Sequence, residues 1–333
     1  MREIVRTNNP VLVSAIDALL NGADIPHVVL DQHMSVLEGS LGILPRRILV
    51  DDERHEEARR VLEDAGLAHE LRPLPPGQSA DTTDDAVLGG RLRLRQQRRG
   101  HRIGHDAILL AAATGARSGD HLVDLGSGVG AAGLALAIRV PATTLTLVEI
   151  DPALAALAAE NIARNGLKAR ARVVELDVAA LSDAFATARL GPGSADRVMM
   201  NPPFNDPAQQ NASPDPQRRM AHAAPRSALT DWIKAASWLL HSAGTMTMIW
   251  RADGLADVLA SITPAFGGIA ILPVHGRADL PAIRVIVRAT KGSRAPLSLL
   301  PALMLNDANG RPTAEADSVL RDAAPLSLAE MQC

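Results

Sequence analysis

From about residue 120 to 289 the chain repeats one unit: a short apolar run, then a longer stretch rich in alanine. Strand-like runs fall at 121–125, 145–150, 172–176, 196–200, 245–250, 269–273 and 283–288, and the clearest helical stretches are 131–140 and 152–165. Strands alternating with helices of ten to fifteen residues predict an α/β fold with a parallel, doubly wound sheet. No convincing helix separates the last two runs, which predicts an antiparallel hairpin at one edge of the sheet.

A different pattern precedes it. Residues 2–6 alternate as a strand, Asn8-Asn9-Pro10 opens a helix through Leu20, runs at 25–30 and 47–50 read as strands, and 53–64 reads as a helix stopped by Gly66. This βαββα order predicts a small ferredoxin-like α+β domain over residues 1–70. Residues 71–85 have a linker's composition, rich in Pro, Gly, Ser, Asp and Thr. Residues 86–300 form the second domain, and 301–333 read as a partly ordered tail with no assigned function.

Composition excludes several classes. With 47% hydrophobic and 21% charged residues the chain reads as an ordinary globular protein, and its net charge of −3 gives no global nucleic-acid signal. Its one cysteine, Cys333, permits no disulfide within the chain and no thiolate metal cage, which points to a reducing cytoplasm. The first residues have no apolar core of a signal peptide, and no apolar run is long enough to span a bilayer. No histidine or cysteine spacing suggests a metal site.

The segment Asp124-Leu125-Gly126-Ser127-Gly128-Val129-Gly130 follows a strand and opens a helix. Glycines let the backbone turn sharply and approach a ligand, and the helix start offers free N–H groups. The overlapping Gly128-Val129-Gly130-Ala131-Ala132-Gly133 also fits a dinucleotide loop, with Glu149 about twenty residues on. Three acids favour S-adenosylmethionine instead. Asp124 precedes the first glycine, where a carboxylate repels a pyrophosphate but suits the cationic methionine portion. Glu149, at the end of the second strand, suits the ribose hydroxyls, and Asp177, ending the third, suits the adenine amino group. Ile150 and Val178 could sandwich the adenine ring. Any one of these acids alone is more simply a loop former at a strand end.

The fourth strand runs straight into Asn201-Pro202-Pro203-Phe204. Two prolines fix φ and hold the loop rigid, so the Asn201 side-chain oxygen and the Pro202 carbonyl can both face one NH2 group. Phe204 offers a face for a flat substrate. A conjugated amine is a poor nucleophile, and two acceptors on its hydrogens aim its lone pair and stabilise the charge that develops. The bland alternative is a Pro-Pro turn after a buried strand.

Together the glycine loop and Asn201-Pro202-Pro203-Phe204 resemble the Rossmann-like class I methyltransferases of the N6-adenine and N5-glutamine group. Over roughly 81–289 the chain resembles the bacterial tRNA1(Val) adenine-37 N6-methyltransferase family more closely. The residues carrying this are Leu88-Gly89-Gly90-Arg91-Leu92-Arg93-Leu94-Arg95-Gln96, Gly104-His105-Asp106-Ala107-Ile108-Leu109-Leu110-Ala111-Ala112 and Asn201-Pro202-Pro203-Phe204-Asn205. The resemblance implies that Gly104, His105 and Asp106 line the methionine end of the cofactor site, with Asn201 beside it. Other amines remain open: guanine N2 of ribosomal RNA, a protein glutamine amide, or no catalysis in a cofactor-binding scaffold. Residues 1–70 resemble a small family of prokaryotic signal-transducing proteins, which leaves a protein partner open.

Arg91, Arg93, Arg95, Arg98, Arg99 and Arg102 put six arginines within twelve residues. Alternation places Arg91, Arg93 and Arg95 on one strand face and Leu92 and Leu94 on the other, as a phosphate-tracking surface for RNA, tRNA first, would require. A charged edge strand guarded against aggregation has the same pattern. Arg218, Arg219, His222 and Arg226, in a long polar segment after the catalytic loop, are further phosphate or base contacts, or simply loop.

Overall fold

A computed structural model describes residues 1–7, 9–30, 46–51, 54–71, 82–98, 103–180, 183–203 and 226–331. They form two compact units, 1–80 and 81–333.

In the first unit, β1 (Arg2–Thr7), α1 (Pro10–Gly22), β2 (His27–Leu30), β3 (Arg46–Val50) and α2 (His55–Asp64) follow in order. Asn9 caps α1: its Oδ1 accepts from the Val11 amide at 3.0 Å, and Pro10 occupies the first turn, where its missing N–H costs nothing. The sheet is antiparallel in the order β1-β3-β2, and an antiparallel bridge from Leu71 to Val5 adds to the free side of β1. That is a ferredoxin-like order with its fourth strand reduced to one bridge. Ile4, Ile16, Leu20, Ile48 and Leu62 fill its core.

The second unit opens with β4 (Thr82–Val87) and β5 (Leu92–Gln97), an antiparallel pair. Residues 82–85, read from composition as linker, are therefore strand; the polar side chains that suggested a linker belong to a strand with no fully buried position. After α3 (His105–Ala113) the α/β alternation begins: β6 (His121–Leu125), α4 (Ala131–Arg139), β7 (Thr144–Glu149), α5 (Pro152–Arg164), β8 (Ala171–Glu175), α6 (Asp183–Thr187), β9 (Ala195–Met200), α7 (Arg226–Leu239) and β10 (Leu240–Arg251). Then come α8 (Leu255–Ile262), β11 (Phe266–His275), β12 (Ala282–Lys291), β13 (Ser298–Leu299), β14 (Leu303–Met304), α9 (Ala314–Asp322) and α10 (Ser327–Glu330).

The main sheet runs β8-β7-β6-β9-β10-β12-β11-β13, and β14 also pairs with β11. Within it only β12 opposes its neighbours: it is antiparallel to both β10 and β11. The expected hairpin is present, but its second strand inserts beside β10 instead of extending the edge. One apolar layer, built from α3, α4 and α5, covers one face, and another, built from α7 and α8, covers the other.

The tail is the clearest correction. Leu303, Val319, Leu326 and Leu328 are buried in the layer with α3, and the nearly buried Arg288 donates through Nη1 to the Leu328 and Met331 carbonyls at 2.8 Å each. Short elements with scattered apolar residues give no periodic signal, so residues 301–331 looked loose in sequence. They complete the core.

Candidate active site

Parallel strands of such a sheet bind ligands past their carboxyl ends, where the strand order reverses. Here that point lies between β6 and β9, and their register pairs Leu125 with Met200. Gly126 and Asn201 therefore leave the sheet side by side. Glu149 and Asp177 follow at the ends of β7 and β8, so the structure gathers the glycine loop, both acids and the Asn-Pro-Pro segment on one edge.

Gly126 and Gly128 adopt left-handed backbone, at φ +63° and +55°. Their surroundings differ. A Cβ on Gly126 would lie 2.2 Å from Cη2 of Trp232, whereas a Cβ on Gly128 meets nothing within 4 Å. Gly128 thus faces open space above the loop, and Gly130 starts α4 with φ +88°. Trp232, on α7, is a site residue that the pattern of motifs missed; its signal was the scarcity of aromatics, three Trp and three Phe in the chain.

The three acids are each held by backbone amides. Asp124 is buried under the loop, 2% exposed, and its Oδ2 accepts from the Gly133 amide at 2.8 Å. It fastens the first turn of α4 to β6. Burial pushes its carboxyl up to about 7, the Gly133 amide opposes that, and Glu149 adds to it. Glu149 accepts from the Gly128 amide at 2.7 Å and from the Ile150 and Asp151 amides at 3.0 Å each. It ties β7 to the glycine loop. Asp177 is exposed and accepts from the Ala179 amide at 2.9 Å; Val178 is buried and Ile150 is 60% exposed.

Asp124 gives the fold a pH dependence. Its folded pKa lies above the unfolded value of 3.8, so between about pH 4 and 7 the native state holds the extra proton. Stability falls as pH rises through that window, by about 1.4 kcal/mol per unit for one such group. Asp124→Asn keeps an acceptor for Gly133 and removes the titration. Chemical denaturation at several pH values is expected to show the slope in the parent and a flatter profile in the variant; equal slopes would rule the assignment out.

Asn201 and Pro203 are half-buried and Pro202 is buried; Phe204 lies outside the described residues. Oδ1 of Asn201 and Oγ of Ser127 are buried with no hydrogen-bond partner among the described residues. A buried acceptor without a donor is costly, and a bound ligand is one source of the missing partner.

Gly104 caps α3 and His105 is exposed beside it, while Asp106 accepts from Nε of Arg284 on β12 at 2.8 Å. Gln96 positions this start of α3: its Oε1 accepts from the Ile103 amide at 3.0 Å and its Nε2 donates to Asp85 at 2.7 Å. Arg284 pairs across the sheet with Arg251 at the end of β10, so Asp106 stands at the same carboxyl edge.

Among the described residues, the arginines of the run differ in what they engage. Leu92 and Leu94 are buried as predicted, but Arg95 is spent on Glu160 at 2.6 Å and Arg91 on the Asp322 carbonyl at 2.6 Å. Arg93 is exposed and Arg98 half-buried; Arg99, Arg102, Arg218, Arg219 and His222 lie outside the described residues, as does the Arg226 side chain. The strand is held by α5 in a way no motif announced. Asn161 Oδ1 accepts from the Arg95 amide and its Nδ2 donates to the Arg95 and Val129 carbonyls, and Asn165 accepts from the Arg93 amide and donates to the Arg93 carbonyl. Two asparagines one helical turn apart thus replace a neighbouring strand along β5.

The sheet order, the glycine loop and the acids at successive strand ends define a class I methyltransferase fold. The chain belongs to the methyltransferase small domain family, whose model matches residues 102–270. The cofactor of such a site is S-adenosyl-L-methionine. The open face at Gly128, the unpartnered Ser127 Oγ and the exposed Ile150 beside Glu149 fit it. Residues 1–66 match the family described as "Putative prokaryotic signal transducing protein".

Among curated relatives, the tRNA1(Val) (adenine(37)-N6)-methyltransferase of Bacteroides thetaiotaomicron is 31% identical over 46% of this chain and 60% of its own length. The release factor glutamine methyltransferase of Chlorobaculum tepidum is 30% identical over 50% of this chain and 58% of its own. The chain thus spans about three fifths of these relatives. A crystal structure described as a "predicted O-methyltransferase" from Agrobacterium tumefaciens is 30% identical and covers 66% of this chain and 98% of that one, with TM-score 0.56. Among the described residues, no helix is long and apolar enough to cross a membrane and no group of three or more His, Cys, Asp or Glu could hold a metal.

Proposed function

We propose that this protein is an N-methyltransferase that modifies adenine N6 in RNA, with tRNA the first substrate to test. The observation that carries the amine is Oδ1 of Asn201, a buried acceptor without a partner, placed beside the glycine loop by the pairing of Leu125 with Met200. When bound, S-adenosyl-L-methionine supplies an electrophilic methyl group. Asn201 and the Pro202 carbonyl hold the two N–H groups of the amine, so that its lone pair points away from the ring and the positive charge is met by oxygen as it forms. No strong base is needed, because the nitrogen loses its proton after it has become cationic.

The named activities of the adenine-37 N6-methyltransferase relatives support the choice of adenine. A glutamine amide presents the same planar NH2, and the relative from Chlorobaculum tepidum makes it the second reading. Labelled cofactor is to be incubated with tRNA, ribosomal RNA and release factor in separate reactions, and the products digested. N6-methyladenosine from tRNA is expected. Label confined to protein, or appearing as N2-methylguanosine, would overturn the adenine reading.

A further inference from the structure

The opposite edge of the sheet, where the parallel strands begin, carries a concentration of positive charge. Two hollows meet there around Arg170. One, of about 510 Å³, is lined by Arg91, Arg93, Arg164 and Arg170; the other, of about 410 Å³, is lined by His121, Lys168, Arg170 and Arg172. Among the described residues, no carboxylate lines either. In a chain of net charge −3 this is a local feature that composition conceals.

Several of these cations have no carboxylate partner among the described residues. The Arg170 guanidinium donates to the Ala137 carbonyl at 2.7 Å and the Thr143 carbonyl at 3.2 Å, both neutral groups. Arg172 donates to the Ala188 carbonyl at 2.7 Å and to Thr146 Oγ1 at 3.2 Å, again without an acid. Arg93 and Lys168 are exposed and make no side-chain ion pair among the described residues. The carboxylates that share this edge are already engaged, Asp120 with Arg197 at 2.9 Å and Asp196 with His241 at 3.0 Å. Arg164 and Arg91 are paired, to Asp84 and Asp322. They border the band and add little net charge to it.

We propose that this rim, through Arg93, Lys168, Arg170 and Arg172, binds the phosphate backbone of the RNA substrate at a point remote from methyl transfer. The inference rests on the RNA reading above. One small anion would use a single guanidinium fork, whereas cations spread over two adjoining hollows suit successive phosphates. α5 runs from the catalytic edge to this one, and its 13 residues span about 20 Å at 1.5 Å each. At about 3.4 Å per stacked nucleotide an RNA needs roughly six nucleotides to bridge that span. An oligomer of about two or three nucleotides can therefore offer its adenine to the site without reaching the rim, whereas a tRNA reaches both.

The test uses the full chain with Arg93→Ala and Lys168→Ala combined. Both side chains are exposed, and the Arg93 backbone bonds to Asn165 survive the change. Binding of bulk tRNA is measured across a salt series, and methylation kinetics with tRNA and with a short adenine-containing oligomer. The double variant is expected to bind tRNA about tenfold more weakly near 0.1 M salt and to lose about two from the salt slope. KM for tRNA rises by a similar factor, kcat and the oligomer's KM hold, and Arg93→Lys with Lys168→Arg restores binding. Unchanged affinity and slope for tRNA overturn the rim while leaving the RNA reading intact. A parent protein that binds and methylates no RNA, but labels release factor, overturns both.

Discussion

Asn201→Ala is expected to lower kcat by about 10²–10³, the cost of deleting one preorganised polar contact to charge developing in a transition state. The side-chain oxygen is buried and unpartnered, so its removal breaks no bond within the fold among the described residues. Stability should hold or rise slightly, because a desolvated acceptor is gone. Cofactor affinity, read by calorimetry, should change little, since the glycine loop, Glu149 and Ile150 remain. Asn201→Asp separates orientation from charge: it keeps an acceptor and adds a negative charge facing the nascent cation, so it should retain more activity than alanine. Near-parental turnover in the alanine variant would contradict the proposed role of Asn201.

Asn161→Leu is expected to destabilise the second unit by about 3–5 kcal/mol. Asn161 is 0% exposed and makes three bonds, and each buried backbone group left alone costs about 1–3 kcal/mol. Leucine is close in volume, so the loss is polar and not a cavity. The midpoint of thermal unfolding should fall by about 6–20 °C for a unit of this size. Cofactor binding should weaken as well, because the Val129 carbonyl anchored by Asn161 belongs to the glycine loop. The neighbouring Asn165→Leu, exposed at its bonds to Arg93, is expected to cost less than half as much in the same melt. Equal losses at the two positions would show that burial is not what sets the energy.

The elements of the sheet were legible in the sequence because each strand is a short apolar run followed by a helix, and buried parallel strands carry their own signature. The glycine loop and Asn201-Pro202-Pro203 were legible because their chemistry is written in consecutive residues. Partners that lie far apart in the chain were not legible. Asp322 and Glu160, distant in sequence, engage Arg91 and Arg95, and no local pattern announces either contact. Residues 301–331 looked loose because short elements give no period, yet their leucines close the core over α3.

The sequence alone determined the α/β alternation, the loop that turns at Gly126 and Gly128, and an asparagine held rigid before two prolines. All three are local: they depend on backbone freedom, side-chain period and ring constraints within a few residues. Only the tertiary structure decided that Leu125 pairs with Met200, that Asp124 is buried with its carboxyl raised to about 7, and that β12 enters between β10 and β11. Register, desolvation and charge pairing are properties of what surrounds a residue, and the chain brings those surroundings together only when it folds.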